Sequence, residues 1–128
     1  MRLVIGGSAQ GKLALTLAQT GFAPDDVCDG ALCDLGQIPE KPIINRLHLL
    51  IRRLMEAGQE PRIAVECIAR ANPDIIFITD EIGYGVVPVD RFEREWREAT
   101  GRICCELAQK SVRVERVFAG ISMIIKGD

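Results

Sequence analysis

The sequence predicts an α/β fold: an open, mainly parallel sheet with helices on both faces. Three observations carry that expectation. Residues 2–5 (Arg-Leu-Val-Ile) read as a short buried strand that breaks at Gly6-Gly7 and leads into a helix over 11–20. Residues 74–79 (Asp-Ile-Ile-Phe-Ile-Thr) set four bulky apolar residues in a row, the pattern of a strand buried on both faces of a parallel sheet. Strand-like and helix-like segments then alternate along the chain, the order from which doubly covered sheets are built.

The first helix stops at Gly21. Residues 22–41 are punctuated by Pro24, Gly30, Gly36 and Pro39, which predicts irregular chain with a weak strand near 27–29. Pro42 suits the first turn of the next helix, and Ile43, Leu47, Leu50, Ile51 and Leu54 recur at helical spacing until Gly58. A third helix is expected from about Glu60, with Ile63, Cys67, Ile68 and Ala71 on its apolar face and Asn72-Pro73 as its end. A glycine-rich loop over 81–88 follows the buried strand. Asp90 and Glu93 form a capping pair for a long helix whose apolar face runs Phe92, Trp96, Ala99, Ile103, Leu107. That spacing makes Trp96 a packing residue before it makes it a stacking platform. Strands at 112–118 and 121–125 close the chain. There is no linker, repeat or low-complexity stretch, so residues 1–128 read as one domain.

Composition narrows the function classes. Hydrophobic residues make up 48% of the 128 residues, enough for a core, and the net charge is −2 with both signs interspersed. No concentrated basic face argues for a nucleic-acid partner. No apolar run reaches the ~20 residues that span a bilayer. The first strand starts so close to Met1 that a signal peptide has no room. Cys28, Cys33, Cys67, Cys104 and Cys105 are odd in number and form no CxxC pair, which predicts free thiols in a reducing cytoplasm.

Residues 6–12, Gly6-Gly7-Ser8-Ala9-Gln10-Gly11-Lys12, match GxxxxGK. Glycines let the backbone curl so that its N–H groups point inward around a phosphate. The helix that starts near Gly11 adds its positive end. Lys12 is then the counter-charge to the β- and γ-phosphates. Three fixed positions arise by chance in roughly a few per cent of chains this long. The loop also leaves the first strand and opens a helix, which is the context the motif needs. The expected fold is therefore P-loop NTPase-like (RecA-like). Leu13 stands where a Ser or Thr hydroxyl would meet Mg²⁺, so that metal contact is missing. Asp80 and Glu81 follow the buried strand, where a carboxylate reaches a nucleotide-bound metal. Asp80 is the candidate metal residue and Glu81 the candidate that orients or deprotonates an acceptor hydroxyl. The plainer alternative for both is a solvated strand end.

The second half carries a more specific signature. TDEIGYGVVP over 79–88 is followed by Arg94-Glu95-Trp96-Arg97, Gly101, Ala119-Gly120-Ile121 and Lys126. This resembles the adenosylcobinamide kinase / adenosylcobinamide-phosphate guanylyltransferase family, with its (S/T)NEVGxGIVP stretch, its Arg-x-(Phe or Tyr)-Arg, and a final strand leading to AGIP and Lys. The family also opens with GGxRSGKS. Residues 45–54 resemble its DCLTLWLSNLL more weakly, with Asn45 for the Asp and His48 for the Thr. The resemblance implies binding of ATP or GTP with Mg²⁺ and phosphorylation of the hydroxyl of a corrinoid alcohol. It also implies a guanylyl transfer through a His that lies between the phosphate loop and the DCLTLW stretch. This chain has no His there, so that step is expected to be lost. His48, the only His, is a substitute carrier or a packed helical residue. Arg94 and Arg97 are family-motif residues or plain surface cations. The resemblance further implies a homo-oligomer, a trimer. Leu13 and Asn45 favour an alternative, a non-catalytic paralogue that binds nucleotide or corrinoid in a regulatory or accessory role. The intact GxxxxGK and the Asp80-Glu81 pair favour the kinase.

Overall fold

The computed structural model describes residues 1–83 and 89–128; Tyr84 to Pro88 of the glycine-rich loop, Gly85 among them, lie outside the described residues. The elements run β1 (Arg2–Gly6), α1 (Lys12–Thr20), a 3₁₀ turn (Pro24–Asp26), β2 (Val27–Asp29), β3 (Ile43–Asn45), α2 (Leu47–Glu56), α3 (Pro61–Ala71), β4 (Ile76–Asp80), α4 (Arg91–Lys110), β5 (Arg113–Phe118) and β6 (Ile121–Lys126). The sheet order is β2-β3-β4-β1-β5-β6. All neighbours pair in parallel except β5 and β6, which form an antiparallel hairpin. This is the α/β, P-loop NTPase-like sheet that the sequence predicts.

Helices cover both faces. On one side α1 lies over Val4, Ile43, Ile76, Ile78 and Val117, with Leu13 and Leu17 packed in. On the other, α2, α3 and α4 enclose Leu3, Ile44, Leu47, Leu50, Ile51, Leu54, Phe77, Ile103 and Leu107. Because β1 and β4 are buried on both faces, their side chains serve both cores, which is why their sequences are apolar runs rather than alternating ones. Gly6 ends β1 where β5 passes very close. A Cβ there would sit 2.5 Å from the Val117 carbonyl oxygen, so no side chain fits.

Two expectations need correction. Ile43 does not open a helix: residues 43–45 are a strand, in register with Val27–Asp29 on one side and with Ile76 and Phe77 on the other. The β-branched Ile43-Ile44 pair suits a slot buried between two strands. Arg46, at φ 55°, turns the chain so that the helix starts at Leu47. The apolar face of α3 also differs from the expected one. Ile63 and Cys67 are exposed, while Pro61 and Val65 are buried and Ala64, Ile68 and Ala69 pack beside them. Two overlapping stripes exist in that helix, and its docking against α2 and α4 selects the second.

The start of α4 is as predicted in part. Asp90 caps it, accepting hydrogen bonds from the N–H groups of Phe92 at 2.7 Å and Glu93 at 3.2 Å. Glu93 does not complete a capping box but pairs with Arg52 at 2.6 Å. All five cysteines are free thiols, and burial pushes the Cys28 and Cys104 thiols up to about 11. Among the described residues, no helix is long and apolar enough to cross a membrane.

Candidate functional site

The glycine loop links the carboxyl end of β1 to α1. Gly11 holds φ 86° and Ala9 φ 57°, left-handed conformations that curl the loop back on itself. Among the described residues, none accepts a hydrogen bond from the backbone N–H groups of Ser8, Ala9, Gln10, Gly11 or Lys12. The first turn of α1 adds its own unpaired amides. The segment is thus a set of donors with a helix terminus behind it.

Lys12 is 7% exposed and folds over this loop. Its Nζ donates to the Gly7 carbonyl at 2.6 Å and lies 2.7 Å from Asp80 Oδ1. Asp80 reaches it because β4 pairs with β1 so that Gly6 and Asp80 are direct neighbours. The register of two adjacent parallel strands therefore brings together residues that lie far apart in sequence.

His48 completes a group around Asp80. The Asp80 backbone N–H donates to His48 Nδ1 at 3.2 Å, and His48 Nε2 lies 3.4 Å from Asp80 Oδ2. His48 is buried in the first turn of α2, and its carbonyl accepts a 2.8 Å hydrogen bond from Trp96 Nε1 on α4. Burial pushes the imidazole below its ordinary value, and the Lys12 and Arg46 charges push the same way against the pull of Asp80. The Asp80 N–H aimed at Nδ1 makes that nitrogen the acceptor and leaves the ring proton on Nε2.

Glu81 turns the other way. Its backbone N–H donates to the Gly6 carbonyl at 2.8 Å. Its carboxylate accepts two hydrogen bonds from Arg116 of β5, at 3.0 and 3.2 Å. It sits beside the loop but holds a guanidinium. Leu13 packs its side chain into the α1-side core. Asn45 ends β3, and its carbonyl accepts from the Gly30 N–H at 2.8 Å. Arg94 is exposed and donates to the Val89 carbonyl at 3.3 Å, while Arg97 is half-buried on the same helix. Arg94 does not join the Lys12–Asp80–His48 group among the described contacts. Trp96 is half-buried against the α2–α4 core, with the Arg52 guanidinium 4.7 Å from its ring centre.

Sequence reasoning missed three contacts here. One is the Asp80 partner of His48. Another is Arg46, which grips Asp29 through Nε at 2.9 Å and through a second bond from Nη2; this hydrogen bonding holds the Asp29 carboxyl below the ordinary carboxylate range. The third is a clasp on the loop. Gln10 Oε1 accepts from the Ala119 N–H at 2.7 Å, and the Gln10 carbonyl accepts from the Gly120 N–H at 2.9 Å. Ala119 and Gly120 both have positive φ, 50° and 74°, which makes the tight turn of the β5–β6 hairpin. An Ala-Gly pair between two apolar strands was the available signal.

With this geometry in place, comparison with known proteins is decisive for residues 39–125. They match the family model described as cobinamide kinase / cobinamide phosphate guanyltransferase. The chain belongs to that family. Three relatives agree. It is 33% identical over 67 residues to the bifunctional adenosylcobalamin biosynthesis protein CobU of Salmonella typhimurium strain LT2, covering 52% of this chain and 37% of that protein. The corresponding protein of Escherichia coli strain K12 is 35% identical over 57 residues, 44% of this chain and 32% of the relative. The bifunctional adenosylcobalamin biosynthesis protein CobP of Pseudomonas aeruginosa is 30% identical over 69 residues, 54% of this chain and 40% of the relative. The alignments thus span well under half of each relative's length. The cobinamide kinase / guanyltransferase match includes Asn45, His48, Asp80 and Glu81, and the glycine loop lies before it.

Proposed function

We propose that this chain binds ATP or GTP through residues 6–13 and transfers its γ-phosphoryl group to the hydroxyl of a corrinoid alcohol of the adenosylcobinamide type. The observation that carries this reading is the 2.7 Å contact between Lys12 and Asp80, which joins a cradle of backbone donors to the acid-bearing end of the central strand. In the reaction, loop amides and Lys12 hold the phosphates, with Lys12 leaving Asp80 as they arrive. Glu81, at the mouth of the loop beside Gly6, is the candidate to orient the acceptor hydroxyl once substrate competes with Arg116.

The residues present fit Mg²⁺ carried in by the nucleotide. Among the described residues no cluster of three or more His, Cys, Asp or Glu exists that would cage an ion alone. Mg²⁺ is commonly held by one or two carboxylates plus substrate phosphates and water, and Asp80 supplies one such carboxylate. Such an ion would neutralise charge on the phosphates. Leu13 offers it nothing, and Asn45 offers at most an uncharged amide.

Guanylyl transfer is proposed to be lost. His48 is the chain's single His. Its Nδ1 lone pair is engaged by the Asp80 N–H, and its Nε2 carries the proton, so no ring nitrogen is free to take a nucleotidyl group. Incubation with radiolabelled GTP is expected to leave no covalent GMP on the protein, and a labelled adduct would overturn this point.

The apolar packing of Leu13 favours a second reading, a non-catalytic paralogue that binds nucleotide or corrinoid as a regulatory or accessory protein. Titration with ATP and GTP, with and without Mg²⁺, followed by turnover with adenosylcobinamide, separates the two. Binding that ignores Mg²⁺ and yields no phosphorylated product would end the kinase reading.

We also propose a homo-oligomer, a trimer by family resemblance. Strand β6 exposes Ile121, Met123, Ile124 and Ile125, an apolar edge that assembly would cover. Light scattering that returned one chain's 14.1 kDa at micromolar concentration would remove this proposal.

A further inference from the structure

We propose that His48 is a positioning residue for the Asp80 carboxylate: its Nδ1 anchors the Asp80 N–H, and its Nε2 lies 3.4 Å from Oδ2 while Lys12 Nζ lies 2.7 Å from Oδ1. The inference rests on the reading that Asp80 faces a metal–nucleotide complex.

Three contacts fix the arrangement. The Asp80 N–H points at Nδ1 and so assigns that nitrogen as the acceptor. The neutral ring then has one proton, on Nε2, which faces Oδ2 at 3.4 Å. The ring cannot swing away freely, because it is buried at 5% exposure and Trp96 ties its backbone to α4. The imidazole therefore hydrogen-bonds the backbone and contacts the side chain of one residue, which restricts where the Asp80 carboxylate can turn.

The consequence appears when phosphates bind. Lys12 is then drawn toward them, and Oδ1 loses its partner. His48 does not move, so the carboxylate stays aimed at the space in front of the loop. An imidazole whose Nδ1 accepts a hydrogen bond carries one proton and no net charge, so it lies against the carboxylate without cancelling the negative charge, which remains for the cation. A lysine or arginine in the same place would cancel that charge. Groups that orient metal ligands in this way change metal affinity by about 10–100-fold when removed.

Two substitutions separate the hydrogen bond at Nδ1 from the contact at Nε2. In His48→Asn the side-chain oxygen reaches where Nδ1 stood, keeping the acceptor for the Asp80 N–H but losing the N–H that faces Oδ2. In His48→Gln the terminal NH₂ reaches where Nε2 stood, keeping the donor. Affinity for ATP and GTP is measured across a Mg²⁺ series. His48→Asn is expected to need about 10-fold more Mg²⁺ for half-maximal effect. The Mg²⁺ response of His48→Gln should stay near wild type. A retained Mg²⁺ response in His48→Asn would overturn this inference and leave the nucleotide reading standing. A wild-type protein with no Mg²⁺ response would overturn both. A further measurement needs neither variant nor nucleotide. With one His in the chain, its imidazole ¹⁵N signals are unambiguous. They should show an unprotonated Nδ1 and a protonated Nε2 at neutral pH, and the opposite tautomer would refute the proposal.

Discussion

Lys12→Ala is expected to weaken ATP and GTP binding by roughly 100-fold, about 3 kcal/mol, in calorimetric titration. The side chain is almost completely enclosed, and it brings a full positive charge over the loop. Its loss removes a charge-assisted contact to phosphate and also leaves Asp80 Oδ1 uncompensated in the same space. An incoming triphosphate then meets an unbalanced carboxylate as well as missing its counter-charge. The fold should survive, because Asp80 is 23% exposed at its side chain and water can replace the ammonium. The loop amides remain, so residual binding should persist. Unchanged affinity in a folded Lys12→Ala protein would show that phosphates do not sit in this loop.

Glu115→Ala should cost about 3 kcal/mol of stability and lower Tm by roughly 10 °C. Glu115 is 1% exposed, on the α1 side of β5. Its Oε1 accepts from Arg2 at 2.8 Å, and Arg113 Nε lies 2.8 Å from the same oxygen. Oε2 accepts from Gln19 at 3.3 Å and from the Ser122 hydroxyl at 2.5 Å. One carboxylate thus joins β1, α1, β5 and β6. Removing it leaves two guanidinium groups side by side. They are about a quarter exposed, which keeps the cost below that of a fully buried pair.

The same residue gives stability a pH dependence. Burial alone pushes the Glu115 carboxyl up, but hydrogen bonds from Ser122, Arg2 and Gln19, with the Arg113 charge, outweigh it and hold the carboxyl below its ordinary range. A depressed folded-state value means the unfolded chain binds the proton more tightly. The stabilisation is therefore complete above the unfolded value of about 4.3 and is lost as pH falls through the lower folded value. Glu115→Gln should lack this part of the acid sensitivity. Equal slopes of unfolding free energy against pH, below about pH 4.3, in wild type and Glu115→Gln would contradict this account.

The parts of this fold that could be read ahead were those with local causes. Gly6-Gly7 after an apolar strand, the Ile-Ile-Phe-Ile run of 75–78 and the Asp90 cap each act within a few residues, and each appears in the expected place. Ile43-Ile44 could not be read the same way. By spacing they continue the helical stripe of Leu47, Leu50 and Leu54, and only two flanking strands make them a strand. The stripe of α3 was ambiguous for the same reason, since its partner helices choose the buried face. For the candidate site, the loop, Asp80 and Glu81 were legible as types of residue in order. What each touches was not. Asp80 meets Lys12 because of a strand register, Glu81 meets Arg116 because β5 passes beside β1, and His48 meets Asp80 because α2 starts from β3, the strand next to β4.

The central place of β1 has a consequence for the chain as a whole. The stretch that carries the family likeness, residues 39–125, contains both strands that flank β1 but not β1 itself. Cut free, that stretch would present two raw inner edges lined with apolar side chains, the kind of surface that recruits other chains into aggregates. The opening residues are thus the keystone of the sheet as well as the approach to the loop, and the second half, for all its distinctive sequence, has no independent way to close.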